Sequence, residues 1–245
     1  MTDRMADIHS RISYLERFIT EQRRETMMRV LDQRTRFVTV VLEDIYQPHN
    51  ASAVLRTCDC FGVQDVHIIE NRNRYRINPD VELGTAQWLT LHRYGQRDNN
   101  TPEAIAELRR RGYRIVATTP HGRTVSLDEF RVADAPTAIL LGNELEGLSE
   151  TALEAADERL RIPMYGFVES FNISVSAAII LNTLCSALRR SRDDWMLSAD
   201  EREEILLGWL RRSIKRSVEL EREWERTGSH EQNPAPCVED ADLAR

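Results

Sequence analysis

Along the middle of the chain, short apolar runs alternate with segments in which apolar residues recur at helical spacing. Short apolar runs rich in β-branched residues, typical of buried strands, lie at 37–42, 66–69, 88–92, 114–119, 137–141 and 159–162. Segments with the helical spacing of apolar residues separate them, at 51–61, 102–110, 149–156 and 173–190. This alternation predicts an α/β fold with a mostly parallel sheet and helices on both of its faces.

The segments that flank this region are helical but highly charged. Residues 8–35 have the pattern of an amphipathic helix or helix pair, and residues 200–226 that of one charged helix with an apolar side. Residues 228–245 have little apolar content, which predicts a disordered acidic tail. We therefore predict an N-terminal helical extension at 1–36, a core domain at 37–190, a C-terminal helical extension at 191–227 and the tail.

Composition narrows the class of protein. With 245 residues, of which 41% are hydrophobic, the chain is long enough for one well-buried domain with appendages. It has no apolar run that spans a bilayer, and its first residues carry no apolar signal core. Its four cysteines do not have the spacing of a metal site. We expect a reduced, cytoplasmic protein without membrane association.

The charge is acidic in sum and arginine-rich in detail. A net charge of −7 and a pI of about 5.5 argue against a nucleic-acid partner. Lys215 is the only lysine, however, and the arginines occur in clusters such as 72–76, 109–111 and 189–192. Because guanidinium groups suit phosphates, these clusters are either salt-bridged helix faces or contacts to a phosphate backbone.

A first candidate site follows the first predicted strand. The stretch QPHNASAVLRTCDCFGV places Asn50 at a turn and Arg56 in the helix behind it. Since Arg56 stands among small and apolar neighbours, we expect it to be partly buried, where an arginine needs a partner. A structural ion pair with Asp59 or Asp65 is the alternative to a functional role.

A second candidate follows the strand at 137–141, which runs into LLGNELEGL. Glycines just past a parallel strand let the backbone approach a ligand, and the carboxyl ends of strands are the usual ligand site in open α/β sheets. The GxExxG string is neither the dinucleotide fingerprint nor a P-loop.

A third candidate follows the last predicted strand, in IPMYGFVESFNISVSAA. Its polar residues Glu169, Ser170, Asn172 and Ser174 lie where a loop enters an apolar helix. Such residues are either helix caps or, together with the two loops above, the lining of one composite pocket.

Taken together, the three stretches resemble the signature motifs of the SpoU/TrmH family, the S-adenosyl-L-methionine-dependent RNA ribose 2′-O-methyltransferases of the SPOUT class. The patterns, which match in order and spacing, are N-x-x-x-x-x-R, L-L-G-N-E-x-x-G and I-P-M-x-G-x-V-x-S-x-N-x-S-V-S-A-A. The resemblance covers residues 37–190. It implies a C-terminal deep trefoil knot, a homodimer, S-adenosyl-L-methionine as cofactor and RNA as substrate, with no metal and no DNA partner.

The resemblance also implies which residues form the site. The catalytic residues would be Arg56, Asn50, Glu144, Ser170 and Asn172. The cofactor-binding residues would be Thr118, Leu141, Gly142, Ile162, Met164 and Phe171, acting mainly through backbone hydrogen bonds and an apolar slot for adenine. Because the pKa of arginine lies above about 12, we expect Arg56 to stabilise the developing alkoxide, with a phosphate or Glu144 taking the proton.

The resemblance is strongest to the tRNA (guanosine-18-2′-O)-methyltransferase branch of the family. It implies methylation of guanosine 18 in the tRNA D-loop, with the flanking helices supporting the dimer and binding tRNA phosphates. Glutamates interleaved with the arginines of those helices depart from that expectation. The alternatives are a methyltransferase of ribosomal RNA, which the short segment before the first strand disfavours, and a non-catalytic RNA-binding protein, which the complete motifs disfavour.

Overall fold

The computed structural model describes residues 2–75 and 84–227. The chain divides into two compact units, residues 34–196 and a unit that combines residues 1–33 with 197–245. The predicted tail and Arg76, the last residue of the 72–76 arginine cluster, lie outside the described residues. The predicted limits at 36/37 and 190/191, and the roles of the extensions, stay predictions.

The unit of residues 34–196 is built on one sheet. In the described part of the chain its strands are β1 (Val38–Glu43), β2 (Asp65–Ile69), β3 (Thr90–Tyr94), β4 (Arg114–Thr118), β5 (Val125–Ser126), β6 (Thr137–Leu141) and β7 (Glu158–Arg161). All pairs are parallel, in the order β3-β2-β1-β6-β4-β7-β5. This confirms the predicted α/β class and the parallel sheet.

The described helices are α1 (Thr2–Leu15), α2 (Glu21–Leu31), α3 (Pro48–Phe61), α4 (Thr101–Arg110), α5 (Glu150–Ala155), α6 (Ile173–Ser191), α7 (Ala199–Ser213) and α8 (Ser217–Thr227). Helices α3 and α6 cover one face of the sheet, and α4 and α5 cover the other. Buried side chains of β1 alternate accordingly, with Val40 and Leu42 in the first core and Val41 in the second. The central strands are therefore buried on both faces, which explains their continuous apolar runs.

Some predicted elements shift or divide. The strand predicted at 88–92 is β3 at 90–94, because residues 85–88 form a 3-10 turn. The two-residue strand β5 was not predicted, since a segment this short shows no period. Thr101 is the first residue of α4, and its hydroxyl does not cap the helix but donates to the buried carboxylate of Glu43 at 2.5 Å.

The single helix predicted at 200–226 is wrong, because the chain leaves the helix at Ile214 and restarts at Ser217. Ile214 has extended dihedral angles, and the Ser217 hydroxyl donates to the carbonyl of Arg211 at 2.7 Å. The serine thereby satisfies a carbonyl that the end of α7 leaves open.

The other unit, as far as it is described, consists of α1, α2, α7 and α8. Its buried apolar residues are Ile8, Ile12, Leu15, Met27, Leu31, Leu197, Ile205, Leu206, Leu207, Trp209 and Leu210. Its helix starts are well capped, since Thr20 accepts from the backbone of α2 and Ser198 forms a capping box with Glu201. Among the described helices of the whole chain, none has the length and apolar character needed to cross a membrane. The knot stays a prediction.

On β2, His67 lies buried in a stack of rings. Its ring centroid is 4.4 Å from that of His92 and 5.8 Å from that of Tyr94, whose hydroxyl lies 2.9 Å from Nδ1 of His67. Oδ2 of Asp65 lies 3.1 Å from Nε of Arg36 and 3.7 Å from Nε2 of His92. Burial, reinforced by His92, lowers the pKa of His67 to about 3. His67 is therefore neutral in the folded protein at neutral pH.

We expect His67 to make the folded protein less stable as the pH falls from about 7.5 to about 5.5. The unfolded chain protonates this side chain near pH 6.5, whereas the folded protein does so only near pH 3. The unfolded state therefore binds more protons in this range, in which carboxylates stay largely ionised in the unfolded chain. Urea unfolding at both pH values measures the loss of unfolding free energy.

The variant His67→Gln should flatten this pH dependence, although losing the ring stack lowers its stability at pH 7.5 as well. His49→Gln, at an exposed position, is the matched control and should keep the wild-type slope. An unchanged slope in His67→Gln would show that the buried imidazole is not its source.

Candidate active site

The carboxyl ends of β1, β6, β4 and β7 lie side by side near the centre of the sheet. From β1 the sheet continues through β2 and β3 on one side and through β6 on the other, so the direction of winding changes there. Open parallel sheets bind ligands at such a switch point. A cleft of about 780 Å³ lies at this edge, within the range of about 300–1,000 Å³ that is usual for small-molecule sites.

The loop after β1 brings Asn50 to this cleft. Helix α3 starts with Pro48, which suits a first turn because proline lacks the N–H that would stay unpaired there. Asn50 is buried in that turn, and its Nδ2 donates to Glu144 Oε1 at 2.7 Å and to Gln47 Oε1 at 3.3 Å. Its Oδ1 accepts from Asn172 Nδ2 at 3.0 Å. Both polar atoms of the Asn50 side chain are thus paired.

Glycines shape the loop that carries Glu144. Asn143 and Gly147 exchange backbone hydrogen bonds of 2.9 and 2.8 Å, and Gly147 has a φ of 75°. A Cβ on Gly142 would collide with the facing backbone at Gly147, so the loop closes only with glycine there. The turn holds Glu144 so that its Oε2 accepts the N–H of Tyr46 at 3.1 Å.

Asn172 is both a helix cap and a pocket residue. Its Oδ1 accepts the N–H of Ser174 at 2.9 Å and the Ser174 hydroxyl at 2.7 Å, which caps α6. Its Nδ2 donates to Asn50, so the two interpretations of this residue from the sequence both hold. Glu144, Asn50 and Asn172 form one chain of hydrogen bonds that joins the three predicted loops.

Arg56 lies on the exposed face of α3 and does not line the cleft. The expected partial burial is wrong, because the buried face of α3 is occupied by small and apolar residues. The structural alternative fails as well, since Asp59 pairs with Arg34 and Asp65 with Arg36. The guanidinium of Arg56 therefore faces solvent, and its catalytic role stays a prediction.

The residues predicted to bind the cofactor all line the cleft, together with Ser170. The Thr118 hydroxyl donates to the carbonyl of Leu140 at 2.7 Å, which fixes the end of β4 against β6. Leu141 is buried and Ile162 half-buried, and they supply an apolar wall between polar loops. This combination suits a ligand with a flat apolar ring and polar ends.

Sequence reasoning did not identify several residues that build the site. Gln47 and the backbone of Tyr46 bind Asn50 and Glu144, and Asn143 anchors the 143–147 turn through Leu145 N–H, which it accepts at 2.8 Å. Asn143, which follows Gly142 at the end of β6, could have been identified from the sequence, because asparagine is common in such turns. A backbone N–H such as that of Tyr46 leaves no signal in the sequence.

The profile described as the SpoU rRNA Methylase family matches residues 37–182, which include all three loops of the cleft. The chain belongs to this family. The match extends from β1 into α6, so the cleft described above is the part of the chain that SpoU proteins share.

Relatives of the SpoU protein described here are similar over most of their length. It is 42% identical over 209 residues to the tRNA (guanosine(18)-2′-O)-methyltransferase of Borreliella burgdorferi, covering 85% of this chain and 94% of the relative. It is 35% identical to the protein of the same name from Thermus thermophilus, covering 79% and 98%. The crystal structure of the A. aeolicus TrmH/SpoU tRNA modifying enzyme superimposes with a TM-score of 0.70 at 31% identity, covering 79% and 98%.

We expect Gly142→Ala to destabilise this SpoU protein by about 1–3 kcal/mol, the usual effect of an added methyl group in a close-packed region. The new Cβ meets backbone atoms of the 143–147 turn, which cannot move aside as a flexible side chain does. Urea unfolding measures the change. Gly208→Ala on α7 is the control, because its Cβ meets no atom within 4 Å, and it should not destabilise the protein. Equal stability of Gly142→Ala and wild type would contradict the close approach.

Proposed function

We propose that this protein is an S-adenosyl-L-methionine-dependent tRNA methyltransferase that methylates the ribose 2′-hydroxyl of guanosine 18. The observation that carries the proposal is the chain of hydrogen bonds from Glu144 through Asn50 to Asn172, which joins three family motifs at one cleft. Full-length relatives named tRNA (guanosine(18)-2′-O)-methyltransferase support the choice of substrate.

S-adenosyl-L-methionine, when bound, supplies a methyl group activated on a sulfonium sulfur. The task of the protein is to align the ribose oxygen with that methyl group and to help the hydroxyl lose its proton. We assign the adenine to the apolar wall of Leu141 and Ile162, next to the backbone of Gly142. Ser170, exposed in the wall of the cleft, is free to contact the ligand or the ribose.

Asn50 and Glu144 act as positioning groups in this proposal. Both polar atoms of Asn50 are paired inside the site, and each carboxylate oxygen of Glu144 accepts a hydrogen bond, from Asn50 and from the Tyr46 backbone. Because both carboxylate oxygens of Glu144 already accept hydrogen bonds within the chain, we favour an RNA phosphate as the acceptor of the hydroxyl proton. The exposed guanidinium of Arg56 would stabilise the developing alkoxide once RNA is bound.

The arginines of the flanking helices contribute less free charge than their number indicates. Within the unit of residues 1–33 and 197–245, ion pairs join Arg4 with Glu204, Arg11 with Asp7 and Glu225, Arg24 with Glu16 and Glu21, Arg202 with Asp32, and Arg211 with Glu221. These arginines therefore belong to salt-bridged helix faces, one of the two alternatives that the sequence leaves open for arginine-rich segments. We therefore propose few phosphate contacts from these helices and a correspondingly shallow salt dependence of RNA binding.

We expect Arg56→Ala to reduce methyl transfer by a factor of about 10²–10³, the usual effect of removing one group that stabilises a developing oxyanion. Its affinity for S-adenosyl-L-methionine should not change, because Arg56 does not line the cleft. The assay follows labelled methyl transfer to unmodified tRNA transcripts, to transcripts with adenosine at position 18, and to ribosomal RNA. Arg56→Lys should recover little activity, since lysine lacks the planar fork of donors.

Arg110→Ala is the matched control, because Arg110 is an exposed arginine whose partner is Glu107 on the same helix. It should methylate tRNA at the wild-type rate. Near-normal turnover of Arg56→Lys would contradict the role assigned to Arg56. Methylation of ribosomal RNA alone would show that ribosomal RNA, and not tRNA, is the substrate. The assay includes ribosomal RNA because the family profile is described as rRNA Methylase. Absence of S-adenosyl-L-methionine binding would favour a non-catalytic RNA-binding protein.

We also propose that the protein is a homodimer, and that it acts in the cytoplasm. Large apolar side chains stand exposed around the cleft, with Tyr165 97%, Val168 65% and Leu145 83% exposed and Phe167 fully exposed. Apolar patches of this kind on a soluble domain usually mark an interface. Burial by a second copy would remove them from water and place the interface beside the cofactor cleft.

We expect Phe167→Glu to shift the protein from dimer to monomer, because a carboxylate would have to be buried in the interface. Sedimentation velocity at several protein concentrations measures the change. Met196→Glu, which also replaces an exposed apolar residue, is the control and should leave the dimer intact. A monomeric wild type, or a Phe167→Glu variant that dimerises like wild type, would contradict the proposed interface.

A further inference from the structure

Asp44, directly after β1, has an unusual backbone. Its φ of 57° is the only positive φ of a non-glycine residue in the described part of the chain. The left-handed region is unfavourable for residues with a Cβ by roughly 1–2 kcal/mol, although aspartate and asparagine adopt it more readily than most. Such a conformation persists only where the surroundings hold it in place.

Three backbone N–H groups hold the side chain of Asp44. Its Oδ1 accepts hydrogen bonds from the amides of Asn71 at 3.2 Å, Arg72 at 2.8 Å and Asn73 at 2.7 Å. These residues form the loop that follows β2. The carboxylate therefore ties the end of β1 to the end of β2 by charge-assisted hydrogen bonds, which are stronger than those between neutral groups.

The carbonyl of Asp44 is turned towards two side-chain amides. It accepts Nδ2 of Asn73 at 2.9 Å and Nδ2 of Asn143 at 2.9 Å. Asn143 opens the 143–147 turn that carries Glu144, and Glu144 accepts from the N–H of Tyr46, two residues after Asp44. The left-handed conformation is what lets the carbonyl and the carboxylate of one residue serve two loops.

We propose that Asp44 is a positioning residue for the methyl-transfer reaction, an inference that rests on the proposed function. It fixes the start of the loop that carries Asn50 and, through Asn143, the turn that carries Glu144. Errors of about 1 Å in such placement reduce rates by a factor of the order of 10². Asp44 itself lies outside the residues that line the cleft and touches no reacting atom.

The test compares Asp44→Gly with Asp44→Asn. Glycine keeps the positive φ and removes the carboxylate, whereas asparagine keeps both the φ and an acceptor oxygen. We expect Asp44→Gly to lower kcat for tRNA methylation by a factor of about 10–100 and to weaken the affinity for S-adenosyl-L-methionine, measured by calorimetry. Asp44→Asn should rescue most of both.

Asp157→Gly is the matched control at the amino end of β7. Asp157 also accepts a backbone N–H, that of Ile115 at 2.7 Å, but at the edge of the sheet opposite the cleft. We expect it to lower the midpoint of urea unfolding while kcat stays near the wild-type value. The proposal would be overturned if Asp44→Gly and Asp157→Gly, at similar loss of stability, lowered kcat by the same factor.

A double-mutant cycle with Asn143→Ala tests the route. If Asp44 acts through Asn143, loss of the Asp44 carboxylate displaces the carbonyl that Asn143 binds, so removal of the Asn143 side chain then has little further effect. The combined variant should therefore lose less activity than the product of the two single losses. Independent, multiplicative losses would overturn that route. Should Asp44→Gly fail to fold, Asn143→Ala alone tests the route, because it removes the hydrogen bond between the Asp44 carbonyl and the 143–147 turn and should lower kcat. A wild-type kcat in Asn143→Ala would overturn the route. If wild type methylates neither tRNA nor ribosomal RNA, the proposed function fails, whereas the cofactor affinities still decide the role of Asp44.

Discussion

The chain of hydrogen bonds through Asn50 is the interaction on which the candidate site depends. Asn50 is buried, so an unpaired amide there would destabilise the fold by about 1–3 kcal/mol. Its partners Glu144 and Asn172 lie 94 and 122 residues further along the chain. Pairing this one buried side chain therefore brings loops from distant parts of the sequence together, because its only partner from its own loop is Gln47, at 3.3 Å.

The parallel sheet makes this convergence possible. Leu42 of β1 pairs in register with Leu141 of β6, so the residues that follow both strands emerge side by side. At the end of β1 two consecutive carboxylates then fix different neighbours. Glu43 is buried and accepts from Ser149 at the start of α5, at 2.8 and 2.7 Å, while Asp44 binds the loop after β2. The frame of the cleft is held by hydrogen bonds to these two carboxyl groups as well as by apolar packing.

Much of this could be predicted from the sequence, because local signals and the fold agree. The apolar runs located the strands. Gly62 ends α3 with a φ of 77° and Ser149 caps α5, and glycine and serine are the residue types usual at these two positions. The features that could not be predicted depend on contacts with distant parts of the folded chain. The small neighbours of Arg56 indicated burial, but they lie on the other face of α3. The Thr101 hydroxyl, at the start of α4, binds a carboxylate 58 residues away instead of capping its own helix. A sequence alone does not show on which face of a helix a given residue lies. It also does not show that a side chain will find a hydrogen-bond acceptor far away in the chain.

Hydrogen bonds within the chain prepare one part of the candidate site, and another part stands open to solvent. Asn50, Glu144 and Asn172 are already paired with one another, so little reorganisation is needed when a ligand enters the cleft. The side chains of Arg56, Tyr165 and Phe167, by contrast, are exposed to solvent. A guanidinium stabilises an alkoxide far better where water is excluded. In the role proposed for Arg56, its charge would therefore become effective only when RNA, or a second copy of the chain, covers this surface, which would tie catalysis to binding of the correct macromolecule.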